Sequence, residues 1–269
     1  MTTELYEIDP ARLSLGCKQA HHACQWASKA ARANIAPRPD DSHSNFGWLP
    51  DIRTLVSEPL DSNRSYQAGF SFLTGELVWL QHGQISSSLS IENQEDSVLE
   101  SWLDDQLSSA SLVATHNAEM PYSLGDGIRY QECRAEWVVL GRWFDVGFKV
   151  LSEIRDEYAG RTHTASMPRC WPHHFDIGSL LLLEDADPET ARSVGIGLSP
   201  GDSSYGEPYY YCNPWPVPDE DKLGSPPNGL RWHTDGFTSL IVIASELRDS
   251  VDHVSTVRSA VERCITLIN

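Results

Sequence analysis

The feature that most constrains this chain is that its second half repeats the pattern of its first. "PDIRTLV" at 50–56 resembles "FDIGSLL" at 175–181, which sets Asp51 and Asp176 125 positions apart. "GFSFLTGE" at 69–76 resembles "GIGLSPGD" at 195–202 with an offset of 126. "LVWLQHG" at 77–83 resembles "LRWHTDG" at 230–236, and "DSV" at 96–98 recurs at 249–251, both with an offset of 153. Order is kept throughout, so the reading is a duplicated unit whose second copy gained residues 203–229.

Local patterns assign elements to each copy. Asp9-Pro10 starts a predicted helix reaching about Asn34, with Leu13, Cys17, Ala20, Cys24, Ala27 and Ala31 on one stripe. A second helix is predicted over about 131–158, with Trp137, Leu140, Phe144, Phe148, Leu151 and Tyr158 on one face. Strand-like segments follow each helix. Phe70-Ser71-Phe72 alternates, Thr74-Gly75 reads as a turn, and "QISSSLSI" and "FTSLIVIA" follow Gly83 and Gly236. A helix closes each half, the last carrying Val251, Val254, Val257, Val261, Cys264, Ile265 and Ile268. The expected fold is α+β: two tandem pseudo-symmetric helix–antiparallel sheet–helix modules. They span 1–109 and 129–269, joined by a connector at 110–128 and packed as one unit.

The 203–229 insertion holds Tyr205, Tyr209, Tyr210, Tyr211 and Trp215 among six prolines. Prolines stiffen such a segment, and aromatic rings supply contact area with few rotors. A functional excursion is one reading. The other is that the rings fill core, since Tyr-Tyr-Tyr in a strand sends alternate rings inward. A cleft between the modules, bordered by this loop, is the expected pocket, with Tyr209, Tyr211, Trp215 and Trp232 as candidate ligand contacts.

Charge narrows the partners. Twenty basic against thirty-eight acidic residues leave a net charge of −18, which repels phosphate backbones and anionic lipid surfaces. No apolar run approaches the ~20 residues that span a bilayer. The N-terminal stretch lacks signal-peptide character, and the six cysteines are dispersed with no C-x-x-C pair. These features fit a soluble cytoplasmic protein with reduced thiols, binding neither nucleic acid nor membrane.

Chemistry, if any, points to histidines. "RCWPHHFDIG" places His174 and Asp176 on one side of an extended segment, where His163, His233 or Asp235 could complete an open divalent-metal site able to activate water. Against this, the mate of His174 in the first copy is Leu49, and two ligands specify no metal, so no cofactor is expected outright. His21 and His22 read as helix-surface or interface residues, and His43, His82, His116 and His253 as loop or solvent-facing ones. Gly197-Leu198-Ser199-Pro200-Gly201 matches G-x-S-x-G, but Pro200 has no N–H for an oxyanion. Gly195-x-Gly197 lacks the third glycine of a dinucleotide loop.

Trp171, Phe175-Asp176, Gly197-Leu198-x-Pro200-Gly201-Asp202 and Tyr205-x-Glu207-Pro208-x-x-Tyr211 together resemble a bacterial domain family of unknown function. That family is marked by W-x-x-x-F-D, G-x-x-P-G-D and E-P-x-x-Y motifs. His21, Lys29, Pro37 or Pro39, and the Phe70–Phe72 strand extend the likeness more loosely. The resemblance implies no activity, and the family has small residues where His173 and His174 stand. Three functions remain open: binding of a small molecule or peptide, metal-assisted hydrolysis centred on His174 and Asp176, and a structural role through a homodimer.

Overall fold

A computed structural model describes residues 8–118, 129–187, 190–247 and 252–269. Most of the 110–128 connector, and Val251 of the last predicted helix, lie outside the described residues. The fold is α+β, and the described residues form four α-helices and twelve strands whose pairings are antiparallel. Among the described residues no helix is long and apolar enough to cross a membrane.

Two compact units divide the chain differently from 1–109 and 129–269. The first comprises Ala11–Arg142 with Cys170–Phe175; the second includes Trp143–Arg169 and Asp176–Asn269. Helix α1 spans Pro10–Asn34 and opens on a proline, where a missing N–H leaves no hydrogen bond unmade. Its predicted stripe is buried throughout. Strands β1 (Phe46–Leu49), β2 (Thr54–Ser57), β3 (Tyr66–Ser71), β4 (Glu76–Gln81) and β5 (Gln84–Ser90) follow, and α2 (Asp96–Ser109) closes the run. Helix α3, Arg134–Tyr158, comes next. In the first unit the strands lie in the order β1-β2-β3-β4-β5, and β7 (Arg169–Trp171) joins β1 through Phe46 and Cys170.

Register decides which face of this sheet is core. Trp48 pairs with Leu55, Leu55 with Phe70, and Phe70 with Leu77, so one face carries four large apolar side chains. Trp137 of α3 meets Phe70 edge-on at 5.8 Å, and its indole N–H donates to the Gly16 carbonyl at 3.1 Å. The opposite face holds a smaller cluster of Val56, Val78 and Leu80.

The second unit contains β6 (Thr164–Ala165), β8 (Asp176–Leu182), β9 (Ser193–Ser199), β10 (Tyr209–Trp215), β11 (Arg231–His233), β12 (Ser239–Ile243) and α4 (His253–Ile268). Its strands run β11-β12-β10-β9-β8, with β6 beside β8. Helix α4 packs across β10 and β9, where the Cys264 thiol meets the Cys212 carbonyl at 3.5 Å. From the later part of α3, Gly147 brings the helix against Ile177 and Leu198.

One expectation needs correcting here. Residues 209–215 are not part of an inserted loop. They form β10, a central strand paired over Tyr209–Trp215 with β9 and over Tyr209–Cys212 with β12. Segment 231–233, matched above to the β4 segment, pairs with β12 instead of β9. By position it is β10 that stands to β9 as β4 stands to β3. The connection between β10 and β12 is the one that holds β11. The Pro-rich flanks hid a strand whose rings alternate across the sheet.

Candidate functional site

Period two places Tyr209, Tyr211, Asn213 and Trp215 on one face of β10, away from Tyr210 and Cys212. Opposite them on β9 stand Ser199, Gly197, Gly195 and Ser193. On β8, Gly178 faces Gly197 and Leu180 faces Gly195. Two glycines in register leave a bare floor, and the Tyr211 ring lies on it. A Cβ at Gly197 would come within 2.2 Å of Tyr211 Cζ and Oη, and one at Gly178 within 2.9 Å of Oη. The Tyr211 hydroxyl donates to the Asp176 carboxylate, which is only 8 % exposed.

The neighbouring rings are fixed in the same way. Tyr209 Oη donates to Asp202 Oδ2 at 2.6 Å, and Asp202 Oδ1 accepts from the backbone N–H groups of Ser204 and Tyr205 at 2.7 and 3.0 Å. Burial, then the bond to Asp202, pushes the Tyr209 phenol well above its ordinary pKa, so it remains a donor. Tyr205 lies 5.0 Å from the Tyr209 ring, with its hydroxyl 2.9 Å from His233 Nδ1. His233 Nε2 reaches the Asp235 carbonyl at 2.8 Å. A carbonyl only accepts, so neutral His233 carries its proton on Nε2 and Nδ1 accepts from Tyr205. Phe237 lies tilted against His233 at 4.2 Å, and the Arg231 guanidinium lies over Tyr205 at 5.4 Å while pairing with Glu246 at 2.5 Å.

The row of rings from Phe237 to Tyr211 ends beside a gap. Above Gly195 the nearest atom to an added Cβ would be Asn213 Cβ at 3.8 Å, which is ordinary contact distance. Asn213 Oδ1 is buried and has no hydrogen-bond partner among the described residues. Trp215 stands beyond it, 45 % exposed.

Three of the four ring positions named from the sequence, Tyr209, Tyr211 and Trp215, therefore share a face. Trp232 pairs with Leu240, and Leu240 with Cys212, so it lies on the opposite face, where its indole N–H is buried without a partner among the described residues. The four metal candidates have other partners. Asp176 takes the Tyr211 phenol, His233 takes Tyr205, His163 approaches Asp185 at 3.2 Å, and His174 lies in an exposed turn with its ring 4.2 Å from that of His173. Among the described residues no group of three or more His, Cys, Asp or Glu is placed to hold a metal ion.

Five residues of the motifs quoted above tie structure together. Gly197, Asp176 and Tyr211 form one lock, Asp202 and Tyr209 a second, and Glu207 a third by accepting from Ser245 N and Oγ at 2.7 and 2.8 Å.

Several histidines sit deeper than their sequence context suggested. His21 is not a surface residue of α1: its Nε2 donates to the Pro172 carbonyl at 2.5 Å, and its ring stacks on Phe175 at 4.8 Å. Burial lowers its pKa to about 4. His22 bonds Asp96 at 2.9 Å, and the same carboxylate accepts from Trp26 Nε1 and Tyr130 Oη. His253 meets Tyr210 Oη at 3.2 Å, and His43 is buried. The i, i+4 and i, i+7 stripe of α1 carries no mark for His21 and His22, because they answer to residues 151 and 74 positions away. Gly195 and Asn213 were legible only as alternation once β9 and β10 were known to pair.

Compared with known proteins, the chain matches no family model, no curated protein and no solved structure.

Proposed function

We propose that this chain is a non-catalytic binding protein for a small molecule or short peptide. The ligand lies on the ring-bearing face of the second unit, seated over Gly195 between Asn213 and Trp215. The observation that carries this reading is the buried Asn213 carbonyl, without a donor among the described residues, beside a glycine whose upper side is open. A buried acceptor left unpaired is costly, and a ligand N–H satisfies it. The exposed Trp215 face offers a ring-stacking surface next to it.

The surrounding side chains suit holding rather than reacting. Tyr205, Tyr209, Tyr211, Asp176, Asp202 and His233 are joined in pairs or short chains, which fixes the rings before a ligand arrives. Such preorganisation reduces the ordering cost of binding. The net charge of −18 weighs against polyanions as the ligand.

A fragment set of ring-bearing primary and secondary amides, screened by ligand-observed NMR, tests the reading. Hits are expected whose signals lose their binding effect with Gly195→Val, which fills the gap, and with Trp215→Ala. They are expected to persist with Trp232→Ala on the opposite face. Hits indifferent to Gly195→Val and Trp215→Ala, or no hits at all, overturn it.

A further inference from the structure

A second hollow, separate in the second unit from the β10 face, opens where α3 and α4 end. Its volume is about 390 Å³, within the range of small-molecule sites. Tyr158, the last residue of α3, lines it together with the apolar Leu183 and Ile265 and the polar Arg161, Glu262, Thr266 and Asn269.

Tyr158 is the anomaly. Its side chain is 3 % exposed, yet its hydroxyl has no hydrogen-bond partner among the described residues. The phenols of Tyr130, Tyr205, Tyr209, Tyr210 and Tyr211 all have one. A buried phenol without an acceptor is normally completed by water or a ligand. The Arg161 guanidinium lies 5.5 Å from the centre of the Tyr158 ring. Its bond to Glu157 is long, 3.4 Å, while Arg258 holds the other oxygen of Glu157 at 2.8 Å. Arg161, with five donors, therefore keeps several for an incoming anion.

The α4 wall has the opposite character. Thr266 gives its hydroxyl hydrogen to the Glu262 carbonyl at 2.8 Å, so toward the hollow it can only accept. Glu262 presents a carboxylate on the same wall. Helix α4 finishes here, and the C-terminal end of a helix carries partial negative charge that favours a cation. One side of the hollow offers donors to a carboxylate, the other offers acceptors to an ammonium, and Leu183 and Ile265 supply apolar surface.

We propose that this hollow binds a free α-amino acid with an aliphatic side chain. Arg161 and the Tyr158 hydroxyl take its carboxylate, Glu262 and Thr266 its ammonium, and Leu183 and Ile265 its side chain. Burial first, and then the charges of Glu262 and Glu157, raise the pKa of Tyr158, so the phenol keeps its proton to donate.

Isothermal titration calorimetry of the full chain at neutral pH tests this with L-leucine, isocaproate (leucine without its amine) and isoamylamine (leucine without its carboxylate). Leucine is expected to bind at least about tenfold more tightly than either analogue. Tyr158→Phe is expected to weaken leucine about tenfold without lowering the thermal midpoint, since the hydroxyl it removes has no partner among the described residues. Glu262→Gln, on an exposed position, is expected to abolish the preference for leucine over isocaproate. No heat up to ~10 mM leucine, equal affinity for the three compounds, or unchanged leucine binding by both variants overturns the proposal.

Discussion

Gly197 carries more consequence than its size suggests, because the Tyr211 ring occupies the space a side chain would take, 2.2 Å from an added Cβ. Gly197→Ala is expected to lower stability by about 1–3 kcal/mol, the usual cost of overpacking. In a Tyr211→Ala background the same change is expected to cost under about 1 kcal/mol, since the opposing ring is gone. Urea titrations of the four proteins measure that coupling; additive costs would mean the ring does not hold the glycine. Tyr211 and Gly197 were visible in the sequence as Y-x-Y and G-x-G, but their opposition depends on β9–β10 register, which no local pattern states. His21 makes a second test at this scale. Its folded pKa, about 4, lies below the ordinary value of 6.5, with burial the main cause and His22, His174 and His173 adding to it. The unfolded chain therefore binds the extra proton first. The stability from neutral His21 is whole above about pH 6.5 and is lost as pH falls toward 4, on the order of 3 kcal/mol in all. His43, His173 and His253 are shifted the same way. His21→Gln is expected to flatten the fall in stability between pH 6.5 and 4 relative to the parent, measured by urea titration at stepped pH.

At the scale of elements, the helices were the most legible part. The Pro10 start and the apolar stripe define α1, and the aromatic face of α3 fixes its span to within a few residues of 131–158. Sheet order was less legible. The prolines after β10 and the three tyrosines within it read equally as a loop, and only strand pairing separates the two. What the stripes conceal is how close two helices come. Gly16 lies inside α1, and a Cβ there would stand 2.5 Å from Glu136 Cβ of α3, an atom that cannot move without its backbone. Beside this contact, Arg12 pairs with Glu136 at 2.7 Å and Trp137 bonds the Gly16 carbonyl. Helix propensity alone predicts that Gly16→Ala adds about 1 kcal/mol. The clash opposes it, and the helices would have to part. A net loss of about 1–3 kcal/mol is expected from thermal or urea unfolding; a gain in stability would show that the helices are not in contact at Gly16.

For the whole molecule, reading the sequence as a repeat suggests halves that separate between 109 and 129, and the compact units do not follow that line. The first unit takes residues 134–142 of α3 and the segment Cys170–Phe175 from beyond the midpoint of the chain. Those pieces are central to it. Trp137 and Leu140 are fully buried, Phe175 is 1 % exposed and stacks on His21, and the Pro172 carbonyl accepts from both His21 and Gln25. Periodicity could not reveal this, because it reports the face a segment buries and is silent about which unit it buries that face in. Losing a buried large aromatic typically costs about 3–5 kcal/mol, and a domain of this size is stable by only about 5–15 kcal/mol. A fragment ending at residue 128 loses Trp137 and Phe175 together, with the hydrogen bonds that His21 and Gln25 give to the Pro172 carbonyl and Trp137 gives to the Gly16 carbonyl. Expressed alone, residues 1–128 are expected to show no cooperative urea transition and little near-ultraviolet circular dichroism. Co-expressed with 129–269, which supplies α3 and the 170–175 segment, the same fragment is expected to co-purify and recover both signals. A sharp, independent transition for 1–128 would mean that the first unit is complete without those segments, and the division at 109–129 read from the repeat would then stand in place of the one the packing describes.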